Sequence, residues 1–312
     1  MTPAPDRPPV SPVLVLAVSI SAVSAAALLF RLAEGVHPVV AGLWRTGAVG
    51  LLLAPSMARD RRGLDARSLG LAALAGFLLA LHFWTWFESL HRTTVLRSTL
   101  LVCLTPIWTG LGEWWLGGDR PGRRFWGAIA VALAGVGLMA AGGEDGGSAA
   151  QLSGDLLATL GGLLAAAYLL VGRTVRQRVS IAPYGALVSL ACAAWLLPVA
   201  GLLDAPLVGF STMAWLALAG LAAGPQLLGH IGFNYAVRYL PAYIVTAGVL
   251  LEPVGAAALG AVFLGEVPTS LELVGAAVVL LGVGVATWPT KRADRATSDA
   301  TPPGRPGAPG SA

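Results

Sequence analysis

Charge is what this sequence has least of. Only 12 % of its 312 residues are charged, about half the share of a soluble domain, and the one lysine is Lys291. That little polar surface does not cover a water-soluble body of this length. Two cysteines exclude a disulfide scaffold, and 56 % hydrophobic residues exclude disorder. A Gly-x-x-x-x-Gly-Lys-Ser/Thr phosphate loop is missing, which argues against ATP-driven pumping by this chain alone. His37, His82, His91 and His230 are scattered, and Cys103 and Cys192 lie in separate apolar stretches, so neither a metal site nor a cofactor is expected. The cysteines read as small buried hydrophobes. No Ser/His/Asp set supports hydrolysis, so the chain does not read as an enzyme. The formal charge of +4 needs no nucleic-acid partner. A polytopic membrane protein remains.

Crossing the hydrocarbon core takes roughly 20 mainly apolar residues per helix. Ten segments fit: 13–30, 38–55, 69–87, 93–116, 125–141, 154–172, 182–203, 212–236, 241–264 and 270–289. Turn or charge signals separate them, such as Arg59-Asp60-Arg61-Arg62-Gly63 and Gly117-Gly118-Asp119-Arg120-Pro121. Alternating ten-residue strands are absent, which excludes a transmembrane β-barrel and leaves an all-α fold. The ends, 1–12 and 290–312, are rich in Pro, Gly, Ala and charge, as disordered tails are. Sixteen of the twenty Lys and Arg residues fall in one set of alternate connections and tails, and two, Arg31 and Arg92, in the other. By the positive-inside bias both termini are cytoplasmic, and the 142–153 linker faces outward.

Shifting the sequence by 147 positions lays one half on the other. Leu104 falls on Leu251, Pro106 on Pro253, Gly118 on Gly265, Asp119 on Glu266 and Pro121 on Pro268. Gly135 and Gly137 fall on Gly282 and Gly284 in the same gap-free register. This is a duplication, with copies at 13–141 and 154–289. Each copy holds five spans, an odd number, so the second sits inverted in the membrane, a recurring design of secondary transporters.

Leu251-Glu252-Pro253-Val254-Gly255, then Leu264-Gly265-Glu266-Val267-Pro268, Gly275 and Gly282, resemble the EamA-type branch of the drug/metabolite transporter superfamily. Thr105-Pro106-Ile107, Gly117-Gly118-Asp119-Arg120-Pro121 and Arg45 echo that pattern in the first half. The resemblance covers 13–289. It implies ten helices in two inverted five-helix repeats, a central cavity, and export or exchange of small metabolites. Asp119 where glutamate is common, and an unusual Arg97, depart from the family pattern.

Ionisable groups at mid-bilayer cost about 3 kcal/mol each on insertion scales, which marks them as functional candidates. Arg45 is central in the second segment and Glu252 in the ninth, beside Pro253, where a local break is expected. Glu252 is the candidate proton-coupling carboxylate, with a structural ion pair as the competing role. Gln226, His230 and Asn234 at i, i+4 and i+8 form one polar stripe, suited to lining a cavity or to joining helices. Arg97, Thr105 and Thr109 share a face near Trp108, with Thr105 at the repeat position of Glu252; Arg97 can also snorkel outward. His82 and Trp86 share a face of the third segment, as cavity wall or interface anchors. Glu88 and Glu113, near helix ends, are expected at the headgroups. The candidate substrate-binding set is therefore Arg45, His82, Trp86, Arg97, Thr105, Trp108, Gln226, His230, Asn234 and Glu252.

Two arginines and one central glutamate favour a carboxylate-bearing or zwitterionic metabolite over a cationic drug. The expected function is a carrier of the cytoplasmic membrane exporting such a metabolite by alternating access, with proton antiport or exchange as the energetics. An importer of the same fold is the alternative. A membrane-embedded transferase for lipid-linked substrates would need an acidic metal cluster, for which 142–153 offers only Glu144 and Asp145. The expected partners are a small-molecule substrate and the lipid bilayer, and faces rich in small residues suit a homodimer as well as contacts within one chain.

Overall fold

Apolar runs placed in lipid must satisfy their backbone internally, and helices do so without a neighbour. The computed structural model of the chain describes residues 8–93, 95–118, 120–141, 149–264 and 269–287, and among these every regular element is a helix. In the first half these are α1 (Pro12–Ser24), α2 (Ala26–Leu32), α3 (Pro38–Leu53), α4 (Pro55–Arg59), α5 (Ala66–Ser89), α6 (Val95–Val102), α7 (Thr105–Trp115) and α8 (Arg123–Ala141). The second half holds α9 (Ala149–Arg176), α10 (Ile181–Leu202), α11 (Thr212–Leu221), a π-helical stretch (Ala222–His230), α12 (Ile231–Ala236), α13 (Ala242–Val249), α14 (Glu252–Leu264) and α15 (Ser270–Thr287).

Among the described residues, seven helical segments are long and apolar enough to cross a membrane: Pro12–Leu32, Pro38–Arg59, Ala66–Ser89, Leu152–Arg176, Ile181–Leu202, Thr212–Ala236 and Ala242–Phe263. The remaining expected segments are helical too. That at 93–116 is interrupted, as α6 and α7; those at 125–141 and 270–289 appear as α8 and α15. The Gly-Glu-Val-Pro signature at 265–268, Asp119, and most of both tails lie outside the described residues. Two boundaries shift. α9 starts inside the expected linker, at Ala149. The first tail is placed from residue 8, where Tyr235 Oη donates to the Val10 carbonyl (2.7 Å) and accepts from its N–H (3.2 Å).

Starts are written locally. Pro38 occupies the first turn of α3 with His37 Nδ1 accepting the Val39 N–H, and Asp65 caps α5 through the Ser68 N–H at 2.7 Å. Packing then relies on small residues, as expected where lipid offers no hydrophobic drive between helices. α8 lies against α15, α5 against α9, and α10 against α3. At the α8–α15 crossing a Cβ on Gly135 would sit 2.6 Å from the Gly275 carbonyl oxygen and 2.7 Å from the Val279 nitrogen. A Cβ on Gly282 would sit 2.8 Å from the Ala128 carbonyl oxygen and 2.6 Å from the Ala132 nitrogen. The two contacts are one contact written twice, since 128, 132 and 135 plus 147 give 275, 279 and 282.

The same register recurs in the two broken helices. α6 stops at Val102 and α13 at Val249; α7 starts at Thr105 and α14 at Glu252. Pro106 and Pro253 follow each restart, and each removes a backbone donor from the first turn.

A buried polar cavity between the two broken helices

The Thr105 and Glu252 breaks face one small cavity of about 50 Å³, room for a few water molecules. Its lining comes from α1 and α2 (Val23, Ala26), α5 (His82, Trp86), the α6–α7 break, α9 (Tyr168), the π-helical stretch and α12 (His230, Phe233), and the α13–α14 break. The polar members are held from behind. Gly161 O can only accept, so His82 Nδ1 carries the hydrogen in their 2.9 Å bond, and a neutral ring keeps Nε2 as a free acceptor. Tyr168 Oη and His230 Nδ1 are 2.8 Å apart. The Trp86 indole stacks on the His82 ring at 6.1 Å, and its buried N–H has no partner among the described residues. Thr105 Oγ1 is spent on the Val102 and Gly162 carbonyls, at 2.8 and 3.4 Å.

The charged pair is arranged differently. Glu252 is 7 % exposed, and its only described hydrogen bond comes from the Cys103 thiol at 3.9 Å. Arg45 is fully buried one layer behind the cavity. Its guanidinium lies 4.1 Å over the Phe83 ring, which in turn meets His230 edge-on at 5.0 Å. Nε, Nη1 and Nη2 have no hydrogen-bond partner among the described residues, and no ion pair joins Arg45 to Glu252. The arginine field nonetheless reaches Glu252, His82 and His230. The stacked ring supplies a cation–π contact. It does not replace the five hydrogen bonds a guanidinium donates in water.

The structure thus gathers His82, Trp86, Thr105, His230 and Glu252 at one cavity, with Arg45 behind them. The other candidates stand elsewhere. The expected stripe of Gln226, His230 and Asn234 is divided. Residues Ala222–His230 are π-helical, and of the three only His230 lines the cavity. Gln226 Nε2 donates to Ser189 on α10 at 3.3 Å. Asn234 Nδ2 donates to the His230 carbonyl at 2.8 Å, and its main-chain oxygen accepts from Arg176 Nε at 3.1 Å. Trp108 is half-buried on α7 and outside the lining. Arg97 is on α6, with its side chain outside the described residues. Tyr168 went unpredicted, although it is the one polar side chain between Gly162 and Gly172.

A second polar cluster closes the arginine-rich end. Glu113 is not at a headgroup level open to water. It is 2 % exposed, paired with Arg173 of α9, and accepts the Ala242 N–H (2.9 Å) and Tyr243 N–H (3.3 Å) at the start of α13. A carboxylate here satisfies orphan donors and meets the positive end of the helix dipole. Buried Arg176 ties α9 to the Asn234 and Val179 carbonyls. Outside these buried bonds, Ser180 Oγ donates to Asp60 at 2.6 Å, and Arg178 approaches Asp65 at 3.8 Å. The Ser180 hydroxyl and then the Arg62 N–H hold the Asp60 carboxyl below the usual carboxylate range; the Ser68 N–H does the same for Asp65.

Known proteins share this layout. A transporter of Bacillus subtilis (strain 168), described as the uncharacterized transporter YwfM, is 25 % identical over 257 residues, 80 % of this chain and 84 % of that protein. A protein of known crystal structure superimposes with a TM-score of 0.74 at 22 % identity, over 91 % of this chain and 99 % of that one, which establishes a shared fold. The sequence model of the EamA-like transporter family matches twice, at residues 11–141 and 152–288. The two matches fall on the two halves that the 147-residue shift relates, and between them they cover nearly the whole helical body. This chain belongs to the EamA-like transporter family, and is a multi-pass membrane protein with a role in transport.

Proposed function

We propose that the chain is a ten-helix carrier of the cytoplasmic membrane, built as two inverted five-helix repeats, that exports a small carboxylate-bearing or zwitterionic metabolite by alternating access. The observation that carries this reading is Arg45, a buried cation without a hydrogen-bond partner among the described residues, close behind a small cavity that carries His82, His230 and Glu252. An uncompensated charge in a low-dielectric interior is costly, and a carboxylate with two acceptor oxygens answers that cost directly. His82 Nε2 and Glu252 supply acceptors for an ammonium group, and the Trp86 N–H supplies one further donor. The two helix breaks at a shift of 147, and the doubled glycine contact of α8 with α15, support the inverted-repeat layout.

A cavity that holds a few waters is too small for a metabolite of several heavy atoms, so loading requires the helices around it to part. With the arginine-rich end cytoplasmic, the Glu113–Arg173 cluster closes the inner path in this state. Glu252, close to the arginine yet unpaired with it, is the carboxylate placed to exchange a proton as that arginine gains or loses its anion.

Counterflow in proteoliposomes tests the assignment, with labelled leucine and pyruvate as carboxylate-bearing probes and ethidium as a cation. Saturable exchange of a carboxylate, none of ethidium, and a fall of at least tenfold in apparent affinity for Arg45→Gln are expected. Ethidium exchange that competes with the carboxylates, or an Arg45→Gln variant with unchanged affinity, overturns it.

A further inference from the structure

Another pocket lies where α7 turns into α8, at the arginine-rich end and apart from the central cavity. Its volume is about 210 Å³, and it is lined by Trp114 of α7, Arg120 and Pro121 of the turn, and Trp126 of α8. Indole N–H and guanidinium groups donate hydrogen bonds and accept none, and the proline ring does neither. The lining therefore offers donors and one full positive charge, with no side-chain acceptor. Arg120 is exposed and has no hydrogen bond or ion pair among the described residues. Glu113, next to Trp114, is turned into the bundle and paired with Arg173, and Asp119 lies outside the described residues. Arg123 and Arg124 follow, both exposed, in the first turn of α8. An occupant that fits must bring acceptors and negative charge, and Arg120 repels a cation.

Apolar surface runs on from the pocket along α7. Leu111, Trp114 and Trp115 stand at i, i+3 and i+4 and so share one face, and all three are exposed, as is Leu116. A soluble anion makes no use of that face, whereas acyl chains do. We propose that the pocket holds the headgroup phosphodiester of one anionic phospholipid, with its acyl chains on the face of Leu111 and Trp115. Arg120 is the residue suited to take two phosphate oxygens together, and the indoles frame the headgroup at the level where tryptophan gathers in membranes.

The repeat shows that the turn itself does not require these residues. A shift of 147 puts Ala261, Val267 and Leu273 at the positions of Trp114, Arg120 and Trp126, and Ser270 and Leu271 at those of Arg123 and Arg124. Pro121 is kept, as Pro268. Packing accounts for part of the difference. A Cβ on Gly110 would meet Trp126 Cη2 at 3.0 Å and Pro121 Cγ at 3.4 Å, so these two rings cover α7. Trp114 is 54 % exposed, and neither it nor Arg120 is accounted for in this way. In the inverted layout proposed above, the copy with the cations meets the cytoplasmic leaflet, whose anionic lipids attract them. Orientation of the chain also draws on arginine, but it counts arginines anywhere in a connection and asks for no pocket.

Native mass spectrometry of the full chain, released from a neutral detergent, counts bound lipids. Dioleoyl phosphatidylglycerol is the probe, with dioleoyl phosphatidylcholine and glycerol 3-phosphate beside it. One phosphatidylglycerol should bind about fivefold or more tighter than further copies and than phosphatidylcholine, with no binding of glycerol 3-phosphate at the same concentration. Arg120→Gln should weaken that first site about fivefold or more, Trp114→Ala about threefold, and Arg120→Lys less than Arg120→Gln. Arg59→Gln, an exposed arginine of the same end outside the pocket, should change it less than about twofold. These variants replace exposed side chains, so unfolding followed by circular dichroism without lipid should match the wild type. Phosphatidylcholine bound as tightly as phosphatidylglycerol, or an equal loss for Arg59→Gln and Arg120→Gln, would reduce the site to diffuse surface contact and overturn the proposal. Glycerol 3-phosphate bound as tightly as the lipid would make the ligand a soluble anion and overturn it as well. The counterflow experiment on the central cavity is independent of all these outcomes.

Discussion

The two broken helices are copies in backbone and opposites in chemistry. α6–α7 and α13–α14 break at positions 147 apart, and each restarts just ahead of a proline. Yet the first restart bears Thr105, whose hydroxyl is used up by two carbonyls, and the second bears Glu252, which has a distant thiol. Their surroundings differ in the same sense. Gly162 of α9 lies so close to the first break that a Cβ there would sit 2.6 Å from the Val102 carbonyl oxygen, and Glu113 fastens the far end of α7 to α9 and α13. Beside the second break runs an apolar groove of about 600 Å³ between α1, α13, α14 and α15. Duplication supplies the geometry, and divergence then places the charge on the copy with room beside it. The first break is packed closely on α9, whereas the second opens beside the groove.

Removing the fastening should have the largest effect on this contrast. Glu113→Ala removes the carboxylate that pairs with Arg173 and strips the acceptor from two N–H groups of α13. Breaking a buried pair from one side costs about 3 kcal/mol or more. Thermal unfolding in detergent should show a corresponding loss. A shift no larger than that of an exposed pair, such as Glu88 with Arg92, would show that the cluster does not hold the first copy.

Glycine replacements probe the contrast more finely. Gly162→Ala drives a methyl into backbone that has nowhere to move, an overpacking cost of about 1–3 kcal/mol. Gly248→Ala meets the Ile20 Cδ1 at 2.7 Å, the far end of a flexible side chain at the groove, and should cost less than about 1 kcal/mol. Equal losses in thermal stability would mean that the second copy is packed as tightly as the first.

Much of this was readable from the residues. Apolar length located the helices, and the repeat register matched both proline-associated breaks, because each depends on local chemistry. Arg45 and Glu252 stood out because charge at depth is rare. Other features had no local signal. Glu113 lies near a helix end, and a linear reading assigned it to the headgroups; its burial depends on Arg173 and the start of α13, 60 and about 130 residues away. The π-helical stretch leaves no mark in the spacing of Gln226, His230 and Asn234, of which His230 reaches the cavity while Gln226 and Asn234 join helices, the other role that stripe suited. Tyr168 looked like one aromatic in an alanine- and leucine-rich run until the fold set its hydroxyl against His230.

The smallest expected effect separates buried from exposed fastening at the arginine-rich end. Asp60 is half-buried at the surface, and its carboxyl is held below the usual range by the Ser180 hydroxyl and the Arg62 N–H. A carboxyl lowered in the folded state contributes stability above its unfolded value, near pH 4, and loses that contribution as pH falls through the lowered value. Asp60→Asn should therefore lower the unfolding temperature slightly at pH 7, and the gap to the wild type should close as pH falls through the lowered value. Water reaches this part-buried surface bond, so its loss should stay well below that of Glu113→Ala. A loss at pH 7 that matches Glu113→Ala would assign the closure of this end to the loop contacts of α4 with α10, and would remove the reason for treating α7 as the fastened helix.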